Sequence, residues 1–177
     1  SLNRLGSRVS GGSPHAIREE EHVRRSGPQL TGKRILIDPF GDDVNPEEQD
    51  ILWDLAARLE GRMSAAGMTT SLSHDRSSSP SDEEKARVAN VIDADLMISL
   101  RLGHYPNERA NGAATFYFGN HHGSYSTIGR HLAGYIQREV VARTPLLDCR
   151  AHERTWNLLR LTKMPTVILE AGYSTNP

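Results

Sequence analysis

Cysteine is almost absent from this chain of 177 residues: Cys149 stands alone, which excludes an internal disulfide framework. A lone thiol without a partner motif reads as packing rather than chemistry, and it leans towards a reducing compartment. Long hydrophobic runs are lacking too. Nothing approaches the ~20 apolar residues that a membrane-crossing helix requires, and no signal-peptide pattern is visible. Charge of one sign is also missing, with 21 Lys and Arg against 22 Asp and Glu. Without a global field, the composition gives no argument for nucleic acid. The basic run between residues 18 and 25 is broken by Glu19, Glu20 and Glu21 and reads as a solvated mixed-charge face. An initiator methionine is lacking as well, so an excerpt of a longer protein is expected.

What is present suffices for one core. Residues 1–32, rich in Ser, Gly, Arg and Glu with Pro14 and Pro28, read as a linker or peripheral segment. Residues 33–177 read as the folded domain. Arg34-Ile35-Leu36-Ile37-Asp38 is a short apolar run between Gly32 and Pro39, the pattern of a buried parallel strand. Ile51, Leu52, Leu55, Leu59 and Met63 recur at helical spacing over residues 50–66, and Gly67 supplies the stop. Further strands are predicted over residues 68–73, 96–100, 113–118 and 166–169, and further helices over 81–91, 126–142 and 155–161. Ser81 and Glu84 have capping-box spacing. Strands alternating with helices predict an α/β fold: a mostly parallel twisted sheet of about five to six strands with helices on both faces.

Three segments, residues 33–39, 95–101 and 161–177, carry a family resemblance. They resemble the zinc-dependent N-acetylmuramoyl-L-alanine amidases, which cut the amide between peptidoglycan glycan and stem peptide. In that family the first strand ends in Asp-Pro-Gly-His-Gly-Gly, and the middle strand reads Ile-Ser-Ile-His-Ala-Asn. Here the corresponding text is Ile37-Asp38-Pro39-Phe40-Gly41-Asp42 and Ile98-Ser99-Leu100-Arg101-Leu102-Gly103. Both histidines are absent. The resemblance implies the family's fold, and it implies a zinc held by His, Glu and His with an open position for water. Zinc would bring that water's pKa down to about 7.

Carried over residue by residue, the first histidine falls near Gly41, which has no ligating side chain. The second ligand aligns with Glu48, or with Glu47 by one residue's slippage. The third is replaced by Arg101, whose guanidinium has no lone pair and repels a cation. Glu170, in Leu169-Glu170-Ala171-Gly172, matches the family's acid–base glutamate. The expectation is a dismantled site without a metal. In it Glu170 is an ion-pair partner for Arg101, and Glu48 serves the helix dipole. Tyr105 and Tyr173 are the candidate ligand contacts near the cleft. Of the other histidines, His104 alone is kept as a possible replacement ligand. His121 and His122 read as solvated loop residues, and His74, His131 and His152 as scattered, the last two on helix-like surfaces. Trp53 and Trp156 read as packing anchors within helices. The serines of Ser77-Ser78-Ser79-Pro80-Ser81 look like phosphorylation targets by composition alone. The connection after Pro39 is shorter than in the family, and the chain stops at Asn176-Pro177 before the family's closing helix. Omitted or truncated segments are expected at both places.

Residues 7–21, 59–63, 118–120 and 136–144 are similar to a regulatory, actinobacterial branch of the amidases. That resemblance implies regulation in place of lysis. It implies a cytoplasmic phosphoprotein, modified by a membrane-bound serine/threonine kinase. Such a protein stimulates a MurA-type enolpyruvyl transferase and associates with a MurJ-type lipid II flippase. The leading expectation is a catalytically degenerate domain acting by protein binding, with no cofactor. Two alternatives stay open. One is an active or weak zinc amidase whose site Glu48, His104 or an omitted histidine completes. The other is a non-catalytic sensor in which Arg101 holds an anionic muropeptide or nucleotide-sugar.

Overall fold

The computed structural model describes residues 29–40, 45–103 and 111–173, with Glu21 alone before them. The elements run β1 (Arg34–Pro39), α1 (Pro46–Ala65), β2 (Thr69–Leu72), α2 (Asp82–Val91) and β3 (Leu96–Gly103). They continue through β4 (Gly112–Phe118), α3 (Thr127–Arg143), β5 (Leu147–Arg154), α4 (Asn157–Leu161) and β6 (Thr166–Tyr173). Six strands form one sheet in the order β2-β1-β3-β6-β4-β5. Every pairing is parallel except β4 with β6.

The period-two alternation of each strand sends its side chains to opposite faces. Ile35, Ile37, Leu96, Ile98, Leu100 and Val167 pack with Leu52 and Ala56 of α1 and with Ile128, Leu132 and Ala133 of α3. On the other face, Leu36, Met97, Phe116 and Ile168 meet Ala86 and Ala89 of α2 and Leu158 and Leu159 of α4. Both faces are therefore covered, which explains why β1 and β3 read as largely apolar runs.

Helix α1 begins earlier than its apolar spacing predicts, at Pro46 instead of residue 50. Its first turn is polar and starts by capping. Asn45 Oδ1 accepts from the Glu48 amide at 2.9 Å, and Glu48 Oε2 accepts from the Asn45 amide at 3.1 Å. Helix α1 ends before Gly67, whose φ of +89° is the left-handed turn that glycine allows. Helix α2 has the capping box that its spacing predicts, between Ser81 and Glu84.

Strand β5 is absent from the sequence-based expectation. Polar residues alternate weakly along it, and Arg150, at φ +67°, interrupts the extended backbone. The register with β4 shifts at that point, between Ala113 and Thr115. His152 accordingly stands on a strand and not on a helical surface. Trp156 is likewise displaced from expectation: it is the N-cap residue of α4, before the helix begins. Strands β3 and β6 run on beyond their predicted ends, to Gly103 and Tyr173.

A candidate functional site at the ends of β3 and β6

Strands β1, β3 and β6 are parallel neighbours, so their carboxyl ends emerge together. Open α/β sheets bind ligands in the crevice outside such ends. Arg101 and Glu170 are register partners there and therefore share a face. Phe40, next after β1, completes the trio, its amide bonded to the Leu100 carbonyl at 2.9 Å.

The ion pair expected between Arg101 and Glu170 is not among the ion pairs of the described residues. The Arg101 guanidinium lies instead over the Phe40 ring, 3.9 Å from its centroid, and 5.6 Å from the Trp156 ring. A flat, weakly hydrated guanidinium stacks well on an aromatic face, and this one has two rings in reach. Lys85 Nζ sits over the same Phe40 ring at 4.5 Å. Arg154 lies 5.4 Å from Phe116 and 5.8 Å from Trp156. Three cations thus lie against the aromatic rings of Phe40, Phe116 and Trp156.

These residues do not fit zinc. Arg101 offers no lone pair, Glu48 has one carboxylate oxygen committed to the capping box, and Glu170 alone supplies a single further donor. No three His, Cys, Asp or Glu side chains are grouped to hold a metal among the described residues. Gly41, His104 and Tyr105 lie outside the described residues, as does the side chain of Tyr173.

Beneath the cleft lies a buried polar cluster that sequence reasoning missed. Asp38 is fully buried; Ser73 Oγ donates to its Oδ1 at 2.6 Å and Ser99 Oγ to its Oδ2 at 2.7 Å. Lys85 Nζ lies 3.2 Å from Asp38 Oδ1, with its side chain only 1% exposed. His74 Nδ1 is 2.7 Å from Ser73 Oγ, and its ring meets the edge of Trp53. So His74 belongs to this cluster and is not a stray surface histidine. The signal was Asp38 itself: a carboxylate inside an apolar strand requires hydrogen-bond donors or a cation.

The remaining candidates are placed simply. His121 is exposed, its Nδ1 2.7 Å from Glu153 Oε1, and His122 is exposed beside it. His131 is on α3. Cys149 is free and half-buried against the second core. Ser77 closes a turn by donating its hydroxyl at 2.5 Å and its amide at 2.9 Å to Asp75 Oδ1, and these bonds, the hydroxyl's foremost, lower the Asp75 pKa below its ordinary value.

A family model described as N-acetylmuramoyl-L-alanine amidase matches residues 39–177. The N-acetylmuramoyl-L-alanine amidase CwlM of Mycobacterium tuberculosis (strain ATCC 25618 / H37Rv) is 62% identical over 188 aligned residues, covering 100% of this chain and 46% of that protein. LytC of Bacillus subtilis (strain 168), also an N-acetylmuramoyl-L-alanine amidase, is 25% identical over 83% of this chain and 30% of its own length. The chain thus spans half or less of these two curated relatives. Among solved structures, an N-acetylmuramoyl-L-alanine amidase from Clostridium difficile 630 superposes with a TM-score of 0.73 at 25% identity, covering 83% of each chain. Ami1 of Mycobacterium smegmatis shares the fold, with a TM-score of 0.70 at 17% identity over 85% of this chain and 86% of its own.

Proposed function

The chain belongs to the N-acetylmuramoyl-L-alanine amidase family, and from that premise we propose a domain that keeps the amidase fold without its hydrolysis. It acts by binding proteins that control peptidoglycan precursor synthesis. Arg101 carries this reading. It occupies the place where the family's middle strand presents a histidine, and its guanidinium is stacked on Phe40 in register with Glu170. A permanent cation at that point opposes a second cation, so the zinc-bound hydroxide that the fold would otherwise supply has no place to form. The relatives are named as amidases, and it is the chemistry of this one side chain that separates the present chain from that activity.

The partners in this reading are a MurA-type enolpyruvyl transferase, which the domain stimulates, and a MurJ-type flippase, with which it associates. A serine/threonine kinase governs the exchange, and the protein works in the cytoplasm. No helix among the described residues is long and apolar enough to cross a membrane. The test begins with elemental analysis of EDTA-free protein before and after equimolar zinc, followed by muropeptide cleavage and by capture of purified MurA-type and MurJ-type proteins. Capture without retained zinc or cleavage supports the reading. One tightly held zinc per chain, with cleavage abolished by Glu170→Ala, overturns it.

A second reading has an observation of its own. Arg101 and Arg154 both hold their guanidinia within 6 Å of the Trp156 ring, at 5.6 and 5.8 Å, a pairing of cations suited to an anionic muropeptide or nucleotide-sugar. It predicts saturable binding without turnover, lost on Arg101→Glu.

A further inference from the structure

A second concavity lies away from this cleft, between α3 and the strands β4 and β5. Its volume is about 330 Å³, and Tyr117, Arg130, His131, Tyr135 and Arg138 line it, with Gly134 in their midst. That size is at the lower end of small-molecule sites. No carboxylate is among the lining residues. Neither Arg130 nor Arg138 enters an ion pair among the described residues, whereas Arg143, farther along the same helix, is paired with Glu139 at 2.9 Å. Of the acids on β5, Glu153 lies opposite Tyr117 with its carboxylate 2.7 Å from His121, and Asp148 accepts from Gln137 at 2.8 Å. Two guanidinia therefore line one cavity with no ion-pair partner among the described residues.

The helix sets their spacing. Arg130, Gly134 and Arg138 follow one another at intervals of four residues, on one stripe of α3, with a rise of about 12 Å between the arginines. Tyr117 is a neutral donor in this setting, because burial raises its pKa above the ordinary tyrosine value. Gly134 leaves the middle of the stripe open: a Cβ built there meets nothing within 4 Å. A glycine in a helix interior costs ~1 kcal/mol relative to alanine, and here the vacancy it leaves is the space between the two cations.

We propose that this cavity binds a phosphate-bearing small molecule, with Arg130 and Arg138 holding adjacent phosphate groups and the two tyrosine hydroxyls donating to them. Forked guanidinium donors match phosphate oxygens in a way that a single ammonium does not. The site is independent of the Arg101 cleft and of the protein-binding reading.

Isothermal titration of the full chain with inorganic pyrophosphate, ADP and citrate tests this. Saturable binding of pyrophosphate, of ADP or of both is expected, ADP being the tighter where the ligand is an organic diphosphate. Arg138→Ala should weaken it by about tenfold or more, and Arg138→Lys by less. Gly134→Glu places a carboxylate one turn from each arginine and should abolish binding, while Gly134→Ala retains it. Both Gly134 variants should melt at or above the parent temperature, because each replaces a poor helix former. No saturation by either phosphate compound, equal binding of citrate, or indifference to Gly134→Glu in a folded protein would each overturn the proposal.

Discussion

Arg101 and Glu170 stand directly opposite one another on adjacent parallel strands, yet the guanidinium lies over Phe40. A carboxylate is the usual partner for an arginine at such a spot, and here an aromatic face competes for it. The consequence is a strand end at which Arg101 joins an aromatic stack beside the carboxylate of its register partner.

Replacing Arg101 by histidine should therefore fail to create a zinc enzyme. The substitution returns one nitrogen donor, which with Glu48 still leaves the three-ligand set incomplete. Arg101→His is expected to retain no stoichiometric zinc by elemental analysis. Arg101→Ala should cost ~1 kcal/mol in urea denaturation, the worth of its ring contacts.

The pair of Asp38 and Lys85 should be far more sensitive. Lys85→Met leaves a fully buried carboxylate without its cation, a change that typically costs ~3–5 kcal/mol. Combining it with Asp38→Asn removes the stranded charge, so the double variant should lose less than the sum of the singles. Denaturant midpoints of the four proteins measure the coupling, and strict additivity would disprove it.

Glu48 offers a clean contrast between capping and ligation. Asn45→Ala removes the side chain that caps α1 and should cost ~1 kcal/mol. Glu48→Gln should cost less, because glutamine satisfies a capping box as glutamate does. Thermal melts rank the two. Were Glu48 a metal ligand, its glutamine variant would instead change metal content.

Acid should loosen β5 through Asp148. Its carboxylate accepts from Gln137 Nε2 at 2.8 Å and from the Arg150 amide at 2.9 Å, and these bonds hold its pKa below the ordinary 3.8. A folded pKa below the unfolded one means that the carboxylate stabilises the fold above about pH 4. That contribution is lost as the pH falls through the lowered value. Asp148→Asn should therefore lose less melting temperature than the parent between neutral pH and pH 3. A parallel decline in both proteins would show that Asp148 contributes nothing.

Much of this architecture was legible in the chain because burial on both faces writes itself as apolar runs. Strands β1 and β3 are such runs, and Ser81 with Glu84 announces α2. The convergence of Arg101 and Glu170 was legible too, since parallel strands end on the same side. Strand β5 was not: it is an edge strand, half-exposed, and Arg150 breaks its alternation with a left-handed residue. The stacking of Arg101 was equally hidden, because Phe40 and Trp156 reach it from positions 61 and 55 residues away, and side-chain competition has no signature in sequence spacing. Asp38 is the same case, with Ser73 and Ser99 lying 35 and 61 residues along the chain.

The strand order has a consequence for how the molecule is made. Strand β6 comes after the other five in the chain, yet it lies between β3 and β4 in the sheet. While the ribosome is still delivering it, the nascent chain can assemble only β2-β1-β3 on one side and β4-β5 on the other. Each half then presents a bare strand edge where β6 belongs, open to pairing with another polypeptide. A chain stalled before Thr166 would consist of two unjoined half-sheets, and the interval before β6 docks is when this protein most needs a chaperone.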